Sequence, residues 1–466
     1  MNTTIANRIF IEDPTDKIKA WVKLNLIFPN PDYVKKERMG YWTGRTPKEM
    51  RLFEWNGRTL ILPFGVCREI LPLLKGSTVY CDFRQDTIIS YGGNPMSLYD
   101  YQQEAVLKMM EAKYGILKAT TGSGKTQMGI ALIKLLRRRA LWLCHTADLL
   151  NQSRDRAMQY IDPETIGTIT EGKVNVGVGV TFATVQTMAN LELTQYRDYW
   201  DVVIVDECHR VASSASTFTR YEKVLNHLAA RHKIGLTATP ERSDGLIKAT
   251  YALLGQVAWE VPDSAVADRV MNVRVKPIDT GVGIDEERCL NDDGTINYVK
   301  MIEYLTTHEM RNRMIARAIM ENKHHSCLIL SERLNQLEAI RALLPYEMQE
   351  DSAFINGKMT SKKARAEREQ AIENMRNGRK KYLFASYSLA KEGLDVPVLD
   401  RLFLASPAKF SSVITQAVGR IRRTAEGKET PVVLDFVDRD IGYCDRAYKE
   451  RCRSYRKIGA EIEKAW

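Results

Sequence analysis

The residues best suited to chemistry begin at Ala119, in the run Ala-Thr-Thr-Gly-Ser-Gly-Lys-Thr that ends at Thr126. Glycines at 122 and 124 let backbone N–H groups come close to phosphate oxygens, and a helix starting there adds the positive end of its dipole. Lys125 is a point charge for β- and γ-phosphates, and the Thr126 hydroxyl can ligate Mg²⁺. The strict phosphate-loop pattern has Gly at the first position, where this chain has Ala119. The candidate nucleotide set is Thr121, Gly122, Ser123, Gly124, Lys125 and Thr126. A second constellation follows four apolar residues, Val202–Val205: Asp206-Glu207-Cys208-His209. Acids at the C-terminal end of a buried strand sit where α/β sheets bind ligands. Asp206 can hold Mg²⁺, and Glu207 can orient and deprotonate an attacking water. Cys208 reads as a small residue facing away.

These groups need elements that hold them. Short apolar runs at 115–119, 140–145, 180–184, 202–206 and 233–236 alternate with helical stretches, as do runs at 327–330, 353–356, 381–386, 401–406 and 432–436. Such alternation predicts parallel sheets covered by helices. The first series contains the strand, glycine loop and amphipathic helix that a phosphate loop requires. Turn signals at Asn30-Pro31, Thr46-Pro47 and Gly92–Pro95 mark residues 1–95 as a separate N-terminal accessory domain. The expected layout is 1–95 accessory domain, 96–265 first α/β domain, 266–300 connecting segment, 301–440 second α/β domain and 441–466 basic helical tail.

Composition agrees with a large globular chain. It has 466 residues, is 44% hydrophobic and 27% charged, and carries a net charge of +10. That balance excludes disorder and permits a polyanionic partner without demanding one. The eight cysteines are scattered with no CxxC, which argues against a zinc ribbon or redox motif and for buried free thiols. No apolar run is long enough to span a membrane, and the N-terminus lacks the basic-then-apolar pattern of a secretion signal. The expectation is a cytoplasmic protein of a bacterium or a phage-infected host, with no membrane partner.

From about 98 to 425 the chain resembles a superfamily 2 helicase of the DExH type. Leu98–Gln102 is similar to the adenine-reading motif, with Tyr99 where the family has Arg. Ala119–Thr126 resembles motif I, His145–Gln152 motif Ia, Thr184–Gln186 the next strand-contact motif and Asp206–His209 motif II. Thr237–Pro240 resembles motif III, Glu392–Pro397 motif V and Gln416–Arg423 motif VI. The resemblance implies two tandem RecA-like P-loop domains with ATP and Mg²⁺ between them. Gln102 would read the base, and Gly393 and Asp395 would face the ribose. His209 and Gln416 would relay nucleotide state. Arg420 and Arg423 would reach the γ-phosphate in trans, where fixed guanidinium forks suit developing charge. Nucleic-acid contacts would fall at Thr146, Gln152, Thr184 and Gln186.

Motif VI opening with Gln416 and the segment after motif III look most like XPB-like and UvsW-like DNA helicases, including those of phages. The expected partner is DNA, whether single-stranded, forked or branched. The expected activity is ATP-dependent unwinding or remodelling, with branch migration as one form. The expected state is a monomer or weak oligomer, with other replication or recombination proteins as further partners. The alternatives are an RNA helicase, or a DNA-translocating subunit of a larger nuclease that does not itself unwind. Residues 33–51 hold six Lys or Arg against two Glu, interleaved with Tyr33, Tyr41 and Trp42. Cations with aromatics suit unpaired bases, so Tyr41 and Trp42 join the nucleic-acid candidates. Residues 446–457 hold six cations against Glu450, and helical spacing puts Arg446, Glu450 and Arg453 on one stripe.

Overall fold

The computed structural model describes every residue except 1, 39, 84–87, 213–214, 239–245, 267–269, 292–293, 357–361, 388, 390–393, 395, 408–410 and 465–466. The chain divides into two units, Met1–Ala265 and Val266–Trp466.

The first unit opens with seven short strands: β1 (Asn2–Ile5), β2 (Arg8–Glu12), β3 (Ile27–Pro29), β4 (Glu49–Arg51), β5 (Glu54–Asn56), β6 (Thr59–Pro63) and β7 (Thr78–Cys81). Five form a sheet in the order β5-β6-β2-β1-β7, while β3 and β4 pair separately. Alternation sets which side is core: Ile9 and Ile11 of β2 are fully buried, and Ile18 and Val22 of the helix Asp16–Asn25 are buried with them. This sheet is not free-standing. Its apolar side shares one core with the strands that follow, and Phe64 meets Tyr114 edge-on at 5.0 Å. Gly65 is required at this junction, because a Cβ there would lie 2.4 Å from the Tyr251 carbonyl oxygen.

The rest of the first unit is β8 (Tyr114–Lys118), β9 (Ala140–Cys144), β10 (Ile166–Thr170), β11 (Lys173–Asn175), β12 (Val180–Thr184), β13 (Val202–Val205), β14 (His232–Thr237) and β15 (Val257–Glu260). They form one sheet in the order β11-β10-β12-β9-β13-β14-β8-β15, parallel except for the β10–β11 pair. Strands β9, β12 and β13 are buried along their whole length, as parallel strands covered by helices on both faces must be.

The second unit is a seven-stranded parallel sheet of β16 (Arg274–Asp279), β17 (Cys327–Ser331), β18 (Ser352–Ile355), β19 (Tyr382–Ser386), β20 (Arg401–Leu404), β21 (Val432–Val437) and β22 (Glu461–Ile462), in the order β18-β19-β17-β20-β21-β16-β22. Two expectations need correcting. The stretch 266–300 is more than a connector, because β16 lies inside the sheet between β21 and β22. Residues 441–466 are more than a tail. Tyr455 of the helix Gly442–Lys457 is fully buried, and Arg451 is 2% exposed against Asp435 of β21. Arg446, Glu450 and Arg453 do share the exposed side of that helix. All eight cysteines are free; seven are buried and Cys81 is exposed. Among the described residues, no helix is long and apolar enough to cross a membrane.

Candidate active site

Strand order brings the candidate residues of the first unit together. β13, β14 and β8 are neighbours, all parallel, so the segments after their C-terminal ends emerge on one edge of the sheet. Those ends deliver Asp206-Glu207, Thr237 and the phosphate loop respectively.

The loop runs from Ala119 into the helix Lys125–Leu136, with Thr126 in its first turn. Gly122 (φ +90°) and Gly124 (φ +82°) take left-handed conformations that a side chain would strain. A Cβ on Gly124 would also fall 2.4 Å from Gln102 Nε2. Gln102, 2% exposed in the helix Asp100–Ala112, donates from Nε2 to the Ser123 carbonyl oxygen at 2.9 Å and accepts from the Tyr99 N–H at 3.1 Å. Tyr101 donates its hydroxyl to the same Ser123 oxygen at 3.0 Å. The residue expected to read the base is thus first a clamp on the loop's backbone. Lys125 Nζ donates to the carbonyl oxygens of Ala119 (3.1 Å) and Thr120 (3.4 Å), so the ammonium lies within the loop's curve. Ser123 Oγ is buried and has no hydrogen-bond partner among the described residues. Positive-φ glycines, a lysine inside the curve and an orphaned hydroxyl fit a polyphosphate.

Asp206 is 5% exposed; it accepts from Ser153 Oγ at 3.1 Å and from the Glu207 N–H at 3.0 Å. Burial, then the neighbouring Glu207 charge, push the Asp206 carboxyl above the ordinary range. Burial would raise Glu207 as well, but the His209 hydrogen bond and the Lys125 charge outweigh it and hold Glu207 below that range. Glu207 therefore stays ionised at neutral pH. Its backbone is left-handed (φ +47°), a strained conformation for a non-glycine and one that recurs at working sites. His209 Nδ1 lies 3.2 Å from Glu207 Oε2 and 3.0 Å from Thr237 Oγ1, joining the ends of β13 and β14. Cys208 is fully buried, and a Cβ on Gly235 of β14 would meet its Sγ at 2.7 Å. An Asp carboxylate with a Thr hydroxyl on the adjoining helix suits Mg²⁺, which takes one or two protein oxygens plus phosphate oxygens. Thr126 and Asp206 are the residues that would hold it.

Sequence reasoning missed Ser153. It is buried in the helix Ala147–Ala157, and nothing local in the chain reveals its bond to Asp206. The other motif residues fall as follows. Thr146 caps that helix by accepting from the Leu149 N–H. Gln152 is exposed on it. Thr184 is buried and bonds Thr187, while Gln186 Nε2 donates to the His145 carbonyl at 2.8 Å. In the second unit, Gln416 is 6% exposed on the helix Ser411–Ile421, and its Oε1 lacks a hydrogen-bond partner among the described residues. Arg420 lies in the last turn of this helix, and Arg423 just beyond it bridges Val270. Arg422 Nε donates to the Met271 carbonyl at 3.0 Å. Gly393 and Asp395, Thr239 and Pro240 lie outside the described residues. Tyr41 and Trp42 are exposed in the segment between β3 and β4, apart from this constellation.

Residues 95–242 match the family described as "Type III restriction enzyme, res subunit", and residues 310–425 match "Helicase conserved C-terminal domain". The chain is 26% identical over 363 residues to a "Putative ATP-dependent RNA helicase L396" of Acanthamoeba polyphaga mimivirus, a match covering 76% of this chain and 66% of that relative. It is 24% identical over 361 residues to the "DNA 3'-5' translocase XPB2" of Sulfurisphaera tokodaii, covering 70% of this chain and 79% of the other. Its fold is similar to that of a fragment of a putative HsdR subunit of a type I restriction enzyme from Vibrio vulnificus, with TM-score 0.57 at 18% identity over 81% of this chain and 69% of that one. With its motifs in order on two α/β units, one matched by the res-subunit model and the other by the helicase C-terminal model, the chain is similar to the superfamily 2 helicases.

Proposed function

We propose that the chain is an ATP-driven DNA translocase that separates or remodels strands. The observation that carries this is the meeting, on one sheet edge, of the phosphate loop with Lys125, the buried Asp206 beside the half-buried Glu207, and the His209–Thr237 link. Lys125 would take the β- and γ-phosphate charge, and Thr126 and Asp206 would hold Mg²⁺, which would supply charge neutralisation for the transferring group. Glu207, ionised, accepts a proton from the attacking water and orients it. His209 ties Glu207 to Thr237, the last residue of β14, so the water-activating group is held to the neighbouring strand. Arg420 and Arg423 of the second unit supply positive charge to the γ-phosphate, with Gln416 beside them. Thr146, Gln152, Thr184 and Gln186 border the strand-tracking surface.

The choice of DNA rests on motif VI opening with Gln416 and on the relative named a DNA translocase. The relative named an RNA helicase keeps the second reading open. ATP turnover measured with matched single-stranded DNA and RNA decides between them. Stimulation by DNA well above RNA supports the proposal, and the reverse makes the chain an RNA helicase. Forked and four-way DNA scored for strand displacement then separates unwinding from translocation without unwinding.

A further inference from the structure

The segment between β3 and β4 has an unusual construction. Its base is fastened: β3 and β4 pair through Ile27–Arg51, Phe28–Met50 and Pro29–Glu49. The Asn30 N–H donates to the Lys48 carbonyl, and the Leu52 N–H to that of Leu26, both at 2.9 Å. Above that base, every residue from 32 to 49 whose burial is described is partly or fully exposed. The excursion therefore has no core of its own, yet it is internally tied. The Tyr41 N–H donates to the Lys36 carbonyl at 2.8 Å, and Lys36 Nζ to Thr46 Oγ1 at 2.8 Å. At its turn Tyr41 is 63% and Trp42 88% exposed. Gly44 (φ +54°) lets the Trp42 ring lie against the turn; a Cβ there would stand 3.0 Å from it. Lys48 Nζ lies 5.8 Å from the Tyr33 ring, and the segment carries six cations against two acids between 33 and 51.

We propose that this excursion is a stacking site for unpaired nucleotides of single-stranded DNA, with Tyr41 and Trp42 as the platform and the surrounding Lys and Arg on the phosphates. The inference rests on the DNA reading above. Two adjacent exposed rings within a cationic segment match a ligand that alternates flat apolar faces with negative charge, and single-stranded nucleic acid is such a ligand. A duplex offers the same phosphates but hides its base faces, so it gains only the charge contribution. The site therefore favours unpaired over paired DNA, without regard to sequence.

The test uses the full chain without nucleotide. Binding of a labelled oligo-dT and of a blunt duplex is measured by fluorescence anisotropy at one salt concentration, for wild type, Tyr41→Ala/Trp42→Ala and Trp42→Phe, with thermal melting as the folding control. The double variant should melt like wild type and bind oligo-dT more weakly by roughly 5- to 150-fold, the range that stacking of about 1–3 kcal/mol gives at about 1.4 kcal/mol per decade. Duplex binding should change less than about two-fold, and Trp42→Phe should recover most of the loss. Unchanged oligo-dT binding overturns the proposal and leaves the exposed rings to a protein partner. An equal loss for both DNAs overturns stacking in favour of plain charge attraction. A wild-type chain that binds oligo-dT through these rings but hydrolyses no ATP would sink the motor reading and leave this one standing.

Discussion

Each of the two large sheets in this molecule places a pair of acids at the end of a strand, and the two pairs are used differently. In the first unit β13 leads into Asp206 and Glu207, held by a serine hydroxyl, a backbone N–H and an imidazole. In the second unit β21 carries Asp435 and leads into Asp438. Arg451 closes on Asp435 at 2.9 and 2.8 Å, with Tyr455 adding a third bond at 2.8 Å. Arg311 closes on Asp438 at 2.8 and 3.2 Å, and Thr280 donates at 2.6 Å. Guanidinium forks neutralise the second pair inside the fold, so it serves as architecture. The first pair keeps the capacity to meet a cation and a water. An acid at a strand end is therefore not a site by its position; the donors around it decide.

The sharpest way to break this contrast is Glu207→Gln. Losing the base should slow single-turnover ATP hydrolysis by about 10²–10⁴, with nucleotide affinity and melting temperature near wild type. If affinity collapses instead, the metal-holding and water-activating roles are wrongly divided between Asp206 and Glu207. Asp438→Asn should do the reverse. It leaves Arg311 buried and uncompensated, which costs about 3–5 kcal/mol of stability, read from urea unfolding, while turnover per folded molecule stays close to normal. Normal stability in that variant would remove the architectural reading.

Lys233 sharpens the comparison as a buried cation that, among the described residues, is held by carbonyls and a ring rather than by an acid. It is fully buried at the start of β14, donating to the carbonyls of Asn7 (3.1 Å) and Leu225 (2.8 Å), with its ammonium 4.8 Å from the Phe64 ring. Burial pushes its pKa down to about 7 from the usual 10.5. With the folded value below the unfolded one, the unfolded chain binds more protons between them, so stability rises with pH above about 7 and is flat below. The slope should reach up to about 1.4 kcal/mol per pH unit. Urea midpoints of wild type and Lys233→Met at pH 7.0 and about 8.5 isolate it; equal slopes would mean that the ammonium stays charged against its carbonyls and ring. The smallest effect is expected for Ser153→Ala. One lost bond to Asp206 is worth about 1 kcal/mol, so Mg²⁺-dependent binding of a fluorescent nucleotide should need roughly fivefold more Mg²⁺, and no change would make Ser153 mere packing.

Much of this was legible in the chain, for physical reasons. Strands β9, β12, β13, β17 and β19–β21 read as apolar runs because parallel strands are buried on both faces. β10 (Ile-Gly-Thr-Ile-Thr) and β16 (Arg-Val-Lys-Pro-Ile-Asp) escaped, because each alternates polar and apolar residues or carries a proline. The N-terminal sheet escaped because its short strands gain their core from residues far along the chain, Tyr114 and Tyr251 among them. The phosphate loop and the acidic pair were legible because their function depends on adjacent residues. Ser153, by contrast, gains meaning only where a helix crosses a strand end. Arg451 was hidden in a stretch whose charge reads as surface; five of its six cations obey that reading.

The position of β16 has a consequence for synthesis on the ribosome. It is the first strand of its unit to emerge, yet its hydrogen-bonding neighbours are the last two, β21 and β22. At roughly 5–20 residues per second, both of its edges stay open for on the order of ten seconds while the intervening chain is made. An open strand is a template for other chains. The same residues that concealed β16 in the sequence are suited to guard it through that interval: exposed Arg274, Lys276 and Asp279, with Pro277 between them, oppose pairing with a stranger until the native partners arrive.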